Sequence, residues 1–327
     1  MTSVVGGARR LALTIWRTYR VGLFVVAVGL VLTLLTPRFL VEGNLTNVLT
    51  NAAVVAIVGL GMTLVIASGN FDLSVGATAA FAGAISLSVV PTLGVGPGIV
   101  AGLLAGAAVG FVNGLIVAEL RVPAFIATLG TLTILRGLTL IYTGGRDIYL
   151  VGETGYKILS AGAMPVVLAL LVAAILAQVV ARTRLGRHVL AVGSNQGAAT
   201  RAGVRSNRIL WVVFAVVGAT AALTGMIISA QVLTANGRLA TGLELSAIAV
   251  VVIGGTPLTG GRATMIGTLL GALLIAEINN GLNLLNVPVF YQSLTTGVLL
   301  LVAVGISTAG RQFMKRAILP PISRISE

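Results

Sequence analysis

Apolar runs of about 20 residues recur along the whole chain, separated by short polar breaks, and a helical run of that length crosses a hydrocarbon core of about 30 Å. The pattern predicts ten spans, near 21–36, 49–67, 73–90, 98–118, 124–142, 163–181, 209–232, 244–256, 263–283 and 288–309. The eighth is short for a complete crossing and reads as a half-helix or a tilted piece. The longest polar island, residues 183–204, falls between the sixth and seventh spans. It runs from basic residues through Gly193-Ser194-Asn195 into a small-residue segment suited to a short helix. A connection that only joined two spans would be much shorter, so the island reads as a surface for another protein to grip.

Composition fixes the class. Of 327 residues, 57% are hydrophobic and 9% charged, whereas a soluble domain carries about 25% charged residues. The reading is an all-α polytopic membrane protein. The 42 glycines suit close helix packing in lipid and would weaken helices in water. The formal charge of +13 would suggest nucleic acid for a soluble protein. Here Lys and Arg gathered in cytoplasmic loops explain it, and no nucleic-acid partner is expected. There is no cysteine, which excludes disulfide and thiolate chemistry. The single histidine, His188, makes no His-based metal site alone.

Arg9, Arg10, Arg17 and Arg20 precede an apolar run, as in a signal peptide. The run ends in Thr36-Pro37-Arg38 without a small-x-small cleavage pattern, so it reads as a retained first span. With the N-terminus inside, all of the 21 basic residues except Arg38, Arg136, Arg146, Lys157 and Arg238 fall in cytoplasmic segments. That bias predicts both ends in the cytoplasm. Residues 1–20 form an N-terminal segment, 21–310 one transmembrane domain, 182–208 a cytoplasmic loop and 311–327 a basic tail. Topology alone accounts for about half of the arginine signal in that loop. For Arg136, inside the fifth span, snorkelling to an interface is the favoured reading.

A weak internal repeat runs in the same order through both halves. Phe71-Asp72-Leu73-Ser74 resembles Leu243-Glu244-Leu245-Ser246, and Gly102 to Ala107 resembles Gly267 to Ala272. Asn113-Gly114-Leu115 resembles Asn280-Gly281-Leu282, and Val122-Pro123-Ala124-Phe125 resembles Val287-Pro288-Val289-Phe290. Chance in low-complexity apolar sequence is the competing account, and four matches in order argue against it. Spans two to five then match spans seven to ten, an odd displacement that inverts one copy. Inverted repeats mark transporters, with the pathway between the halves. The repeat places Asp72 near the cytoplasmic side and Glu244 near the outer side. Asp72 and Ser74, with Glu244 and Ser246, are candidates for gating or for capping the helices they begin, and capping is favoured.

Chemistry is mostly absent. Neither lysine, Lys157 nor Lys315, belongs to a nucleotide-binding Gly-x-x-x-x-Gly-Lys loop. No catalytic constellation appears, so no enzyme is expected. Of the acids, only Glu277 lies well inside a span, a thin set for cation coupling. Uncharged groups suit a neutral polyol better. Asn279, Asn280 and Asn283 cluster on the ninth span at i, i+3 and i, i+4 spacing. Phe290 opens the tenth, and Asn113, Phe125 and Thr128 are repeat-related or nearby. These are candidate pathway residues, with interhelical hydrogen bonding favoured over substrate contact.

Several segments together resemble the permease subunit of ribose-type ATP-binding-cassette sugar importers. They are Gly61 to Gly76, Pro123 to Gly130, Thr183 to Val204, Val252 to Gly261, Gly267 to Ala272 and Asn279 to Leu285. The likeness covers about residues 37–305; at Asn70 the chain departs from the Gly-Ile-Asp-Leu-Ser usual in that family. The resemblance implies a bacterial inner-membrane permease, paired with a second copy or a paralogue. It implies two cytoplasmic ATPase subunits that hydrolyse ATP with Mg, and a periplasmic or lipid-anchored sugar-binding protein. No cofactor is implied in this chain itself. Residues 183–204 become a coupling loop that docks in the ATPase. Thr183, Arg184, Gly186, Arg187, Gly193, Asn195, Ala198, Ala199 and Gly203 are its candidate residues. Arg184 and Arg187 would meet acidic groups, while Gly193 and Gly203 would permit tight turns around a docking helix. Two alternatives stay open: a secondary transporter using Asp72 with Glu244 or Glu277, and a related permease for a nucleoside or sugar-like signal molecule.

Overall fold

The computed structural model describes residues 21–151, 155–288, 290–292, 294–302 and 305. The expected N-terminal segment and basic tail lie outside the described residues. The helices are α1 (Val21–Leu35), α2 (Glu42–Ala67), α3 (Val75–Leu93), α4 (Val95–Ala118), α5 (Ala124–Thr143) and α6 (Met164–Arg182). Two short ones follow, α7 (Arg184–Ser194) and α8 (Gln196–Arg201), and then α9 (Ser206–Val232), α10 (Leu243–Ile253), α11 (Met265–Leu284) and α12 (Phe290–Val302). Each of the ten expected spans meets one helix. Seven are long and apolar enough to cross a membrane: α2 to α6, α9 and α11. The described parts of α1 and α12 are shorter. With 11 residues, α10 reaches about 16 Å, roughly half a hydrocarbon core.

Helices α2, α3 and α9 form the centre, the most buried of the seven, while α4, α5 and α6 expose most of their surfaces. The tightest seam joins α4 to α9. Helix α4 buries Gly98, Gly102, Gly106, Gly110 and Gly114 at every fourth position, which places them in one stripe. A Cβ on Gly106 would strike the Gly218 carbonyl, and one on Gly110 the Phe214 carbonyl. Hydrogen side chains thus bring two backbones together in a chain with little water-driven force between helices. Gly61 brings α2 onto Val217 and Thr220 of α9 in the same way.

Helix pairing follows the repeat. Helix α4 packs on α9 as α11 packs on α2; α3 packs on α9 as α10 packs on α2; α3 meets α4 as α10 meets α11. Exchanging α2–α4 with α9–α11 therefore reproduces the pattern. A two-stranded ladder, β1 (Ile148–Tyr149) with β2 (Thr234–Ala235), ties the α5–α6 connection to the chain leaving α9. A 3₁₀ turn at Gly155–Leu159 places Tyr156 fully inside, where its hydroxyl donates to Ser86 Oγ at 3.0 Å. Burial pushes that phenol up to about 12.

Candidate functional site

The polar island folds into two helices held by their caps. The Thr183 hydroxyl donates to the Val179 carbonyl at 2.6 Å and accepts from the Gly186 N–H at 3.2 Å. One side chain thus ends α6 and opens α7. Gly186 rests on the backbone of Val179 and Val180, where a Cβ would not fit. Gly186, Val189 and Val192 are buried while Arg184 and Arg187 are exposed, so α7 lies on the bundle with a basic outer face. Asn195 breaks that helix and caps the next, accepting from the Ala198 N–H at 2.9 Å. Ala199 is buried beneath α8, while residues 194–198 are exposed. At Gly203 a φ of +87° reverses the chain into α9, a conformation that glycine adopts without strain.

Gly193 serves differently from the turn expected of it. It lies in the last turn of α7 and is absent from the positive-φ glycines. A Cβ there would strike the Ala67 carbonyl and come within 2.8 Å of the Gly261 nitrogen. The same carbonyl, at the end of α2, accepts from the Gly261 N–H at 2.9 Å. Gly260 packs against the Gly193 carbonyl and the backbone of Gly69. Three segments therefore meet backbone to backbone: the end of α2, the end of α7 and the α10–α11 connection. A displacement of α7 is felt by both halves of the bundle through contacts that leave no slack.

A second polar centre opens α3. Asp72 Oδ1 accepts from the Ser74 N–H at 2.8 Å and the Ser74 hydroxyl at 2.6 Å. Asn113 donates to Ser74 Oγ at 2.9 Å, and the Thr131 hydroxyl donates to Asn113 Oδ1 at 2.6 Å. Thr128 Oγ1 accepts from the Leu73 N–H at 3.1 Å. Asp72, Ser74, Asn113 and Thr128 are all buried, each with its hydrogen bonds inside the protein. The arrangement fixes the entry into α3 and joins it to α4 and α5.

The two repeat-related acids do not lie on opposite sides. Glu244 Oε2 occupies the space where a Cβ on Gly76 would go, so the first turns of α3 and α10 touch. Four residues separate Asp72 from Gly76, at most about 14 Å of chain, so the acids cannot face opposite surfaces of a core of about 30 Å. Asp72 lies three residues from Gly69, which packs on Gly193 of α7, and Glu244 follows the turn at Gly242. Glu244 Oε1 accepts from the Gly242 N–H at 3.3 Å, and its Oε2 is buried without a partner. The Ser246 hydroxyl donates to the Gly242 carbonyl.

Arg136 also departs from the expectation of snorkelling. Its Nη1 donates to the carbonyls of Gly237 and, at 2.8 Å, Leu239, and Glu244 faces its charge. It clamps the re-entrant segment that leads to α10. Nothing in the spacing of the fifth span announced those carbonyls, which lie about a hundred residues further along.

The asparagines of α11 separate. Asn280 and Asn44 exchange two hydrogen bonds, at 2.7 and 3.0 Å. Asn283 is exposed and accepts from Gln292 at 2.6 Å, while Asn279 is half-buried. Phe125 and Phe290, at 56% and 77% exposed, stand on outer surfaces and enclose nothing. Asn44 escaped the sequence reading because the second span was started at 49, after it.

With this geometry in place, comparison with known proteins is informative. Residues 44–304 match the family described as branched-chain amino acid transport system / permease component. The ribose import permease protein RbsC of Escherichia coli K12 is 38% identical over 314 residues, 93% of this chain and 98% of that one. The L-arabinose ABC transporter permease protein AraH of Azospirillum brasilense is 35% identical over 84% of this chain and 82% of its own. The autoinducer 2 import system permease protein LsrC of Salmonella typhi is 36% identical over 85% of this chain and 82% of its own. No solved structure matches the chain.

Proposed function

This multi-pass membrane protein belongs to the branched-chain amino acid transport system / permease component family, and from that premise we propose that it is the transmembrane subunit of an ATP-driven importer of a ribose-like monosaccharide. The observation that carries the proposal is the α7–α8 pair, a capped basic element seated where α7 ends by Gly193 on α2 and on the α10–α11 connection. An element built that way takes a push from outside the bundle and delivers it inside. The proposed partners are two cytoplasmic ATPase subunits, which bind and hydrolyse ATP with Mg, a second copy of this chain, and a periplasmic or lipid-anchored sugar-binding protein. Closure of the ATPases displaces α7, and the helices carry that motion to the gates as rigid bodies. The proposed topology has ten spans, with residues 182–208 and both termini in the cytoplasm.

Relatives named for ribose, L-arabinose and autoinducer 2 support a small polar cargo. Ribose is proposed first and a sugar-like signal molecule second, with selection made mainly by the binding protein. Gly193→Arg, or deletion of residues 194–200, is expected to abolish uptake of labelled ribose while membrane insertion continues. Normal uptake, or normal co-purification of the ATPase with the deletion, would sink the docking role. Collapse of the membrane potential with ATP maintained should leave uptake intact; its loss would favour a cation-coupled carrier. Calorimetry of the binding protein against ribose, arabinose and autoinducer 2 separates the cargoes.

A further inference from the structure

A groove of about 450 Å³ lies at the start of α9, outside the seam that seats α7. Its walls include Arg205, Asn207, Arg208 and Trp211 of that region and Glu119 at the end of α4. Asn207 donates to Glu119 Oε2 at 3.2 Å, one oxygen of the single carboxylate on the wall, which leaves two arginines against one acid there. Both arginines are exposed, and among the described residues neither guanidinium is taken up by a carboxylate. Arg121, exposed two residues beyond Glu119, adds a third positive charge nearby. The Trp211 indole Nε1 is buried and has no acceptor, a costly state for a donor.

The surface beside the groove is apolar. Trp211 meets Phe111 edge-on, with ring centroids 6.1 Å apart. Phe111, Val112, Leu120 and Val212 flank these positions and are exposed by 42%, 50%, 70% and 41%. Helices α4 and α9 are both of membrane-crossing length; Phe111 and Val112 lie about two turns before the end of α4, Leu120 just beyond it, and Trp211 and Val212 in the second turn of α9. A basic groove lined by a tryptophan ring, at the rim of an apolar outer wall, has the chemistry of an interface where acyl chains end and headgroups begin. We propose that this groove binds the headgroup of an anionic phospholipid. Arg205 and Arg208 meet the phosphate, the Trp211 ring borders the headgroup, and the acyl chains run along Phe111 and Val212. Thr200, Gly203 and Val204, at the end of the proposed coupling loop, also line the groove, so lipid retention and ATPase docking are read separately; the site does not depend on the cargo proposed above.

The test uses the full chain with Trp16→Phe, which leaves Trp211 as its only tryptophan. In nanodiscs, brominated phosphatidylglycerol should quench Trp211 fluorescence more strongly than brominated phosphatidylcholine at the same mole fraction. Arg205→Gln with Arg208→Gln should lower retention of phosphatidylglycerol in native mass spectrometry about tenfold. Arg182→Gln with Arg262→Gln removes the same charge elsewhere and should retain the lipid. Equal quenching by the two lipids, or equal loss in the control pair, would overturn the proposal. So would protection of Trp211 by inorganic phosphate without lipid, which assigns the groove to a soluble anion. Loss of ATPase co-purification with lipid retention unchanged would make the groove a protein docking surface instead. The quenching comparison needs no change in the groove, so it stands even where a groove variant fails to fold.

Discussion

At the scale of single residues, small and polar side chains set positions that apolar ones only fill. Asn44 and Asn280 exchange a pair of hydrogen bonds across two helices. Asn280→Ala leaves the half-buried Asn44 amide with only its bond to the Phe39 carbonyl, at an expected cost of about 0.6–2 kcal/mol. The double replacement should cost less than the two single ones combined, read from thermal unfolding in detergent. Full additivity would show that the pair does not couple. Packing was the favoured sequence reading of this asparagine, because an amide inside a span needs a partner. Its partner was hidden, since the two asparagines stand 236 positions apart in the sequence. Gly193 was recognised as important for the wrong reason. Glycine in a polar loop suggests a turn, whereas here its missing side chain admits the Ala67 carbonyl.

Whole elements were legible wherever hydrophobic length alone decides them. All ten expected spans meet a helix, and α5, expected at 124–142, runs Ala124–Thr143. What could not be read is depth. Asp72 and Glu244 each open a helix, and their sequence surroundings resemble loop edges, yet both lie at re-entrant starts within the bundle. Only the folded chain, with Gly76 against Glu244, brings them together. Arg136 holds one of those re-entrant segments, so Arg136→Gln should raise amide hydrogen exchange across residues 236–242 and leave α4 and α9 protected. Unchanged exchange in that segment would remove the clamp. The glycine stripe makes the opposite demand, for closeness. Gly110→Leu would force α4 away from Phe214, costing about 1–3 kcal/mol by overpacking, visible as a lower unfolding temperature.

For the molecule as a whole, the question is how a chain with one half-length helix could hold two inverted halves. A single crossing helix, α6, separates Lys157 from Gly197, so these residues belong on opposite sides. Gly193 seats α7 against the α10–α11 connection, which places Arg262 on the side of Gly197. Helix α9 then returns the chain, so Arg238 belongs with Lys157. From Arg238 to Arg262 the chain must change sides with an 11-residue helix, which supplies about 16 Å of the distance. Re-entry through 236–242 and the connection after α10 supply the rest. The chain has no cysteine of its own, so one cysteine at a time reports its side. Lys157→Cys and Arg238→Cys should react with an impermeant maleimide on intact spheroplasts. Gly197→Cys and Arg262→Cys should react only in inside-out vesicles. Labelling of Arg238→Cys and Arg262→Cys from the same side would mean that α10 turns back without crossing. The two halves would then share an orientation, and the reciprocal pairing of α4 on α9 and α11 on α2 would need another origin.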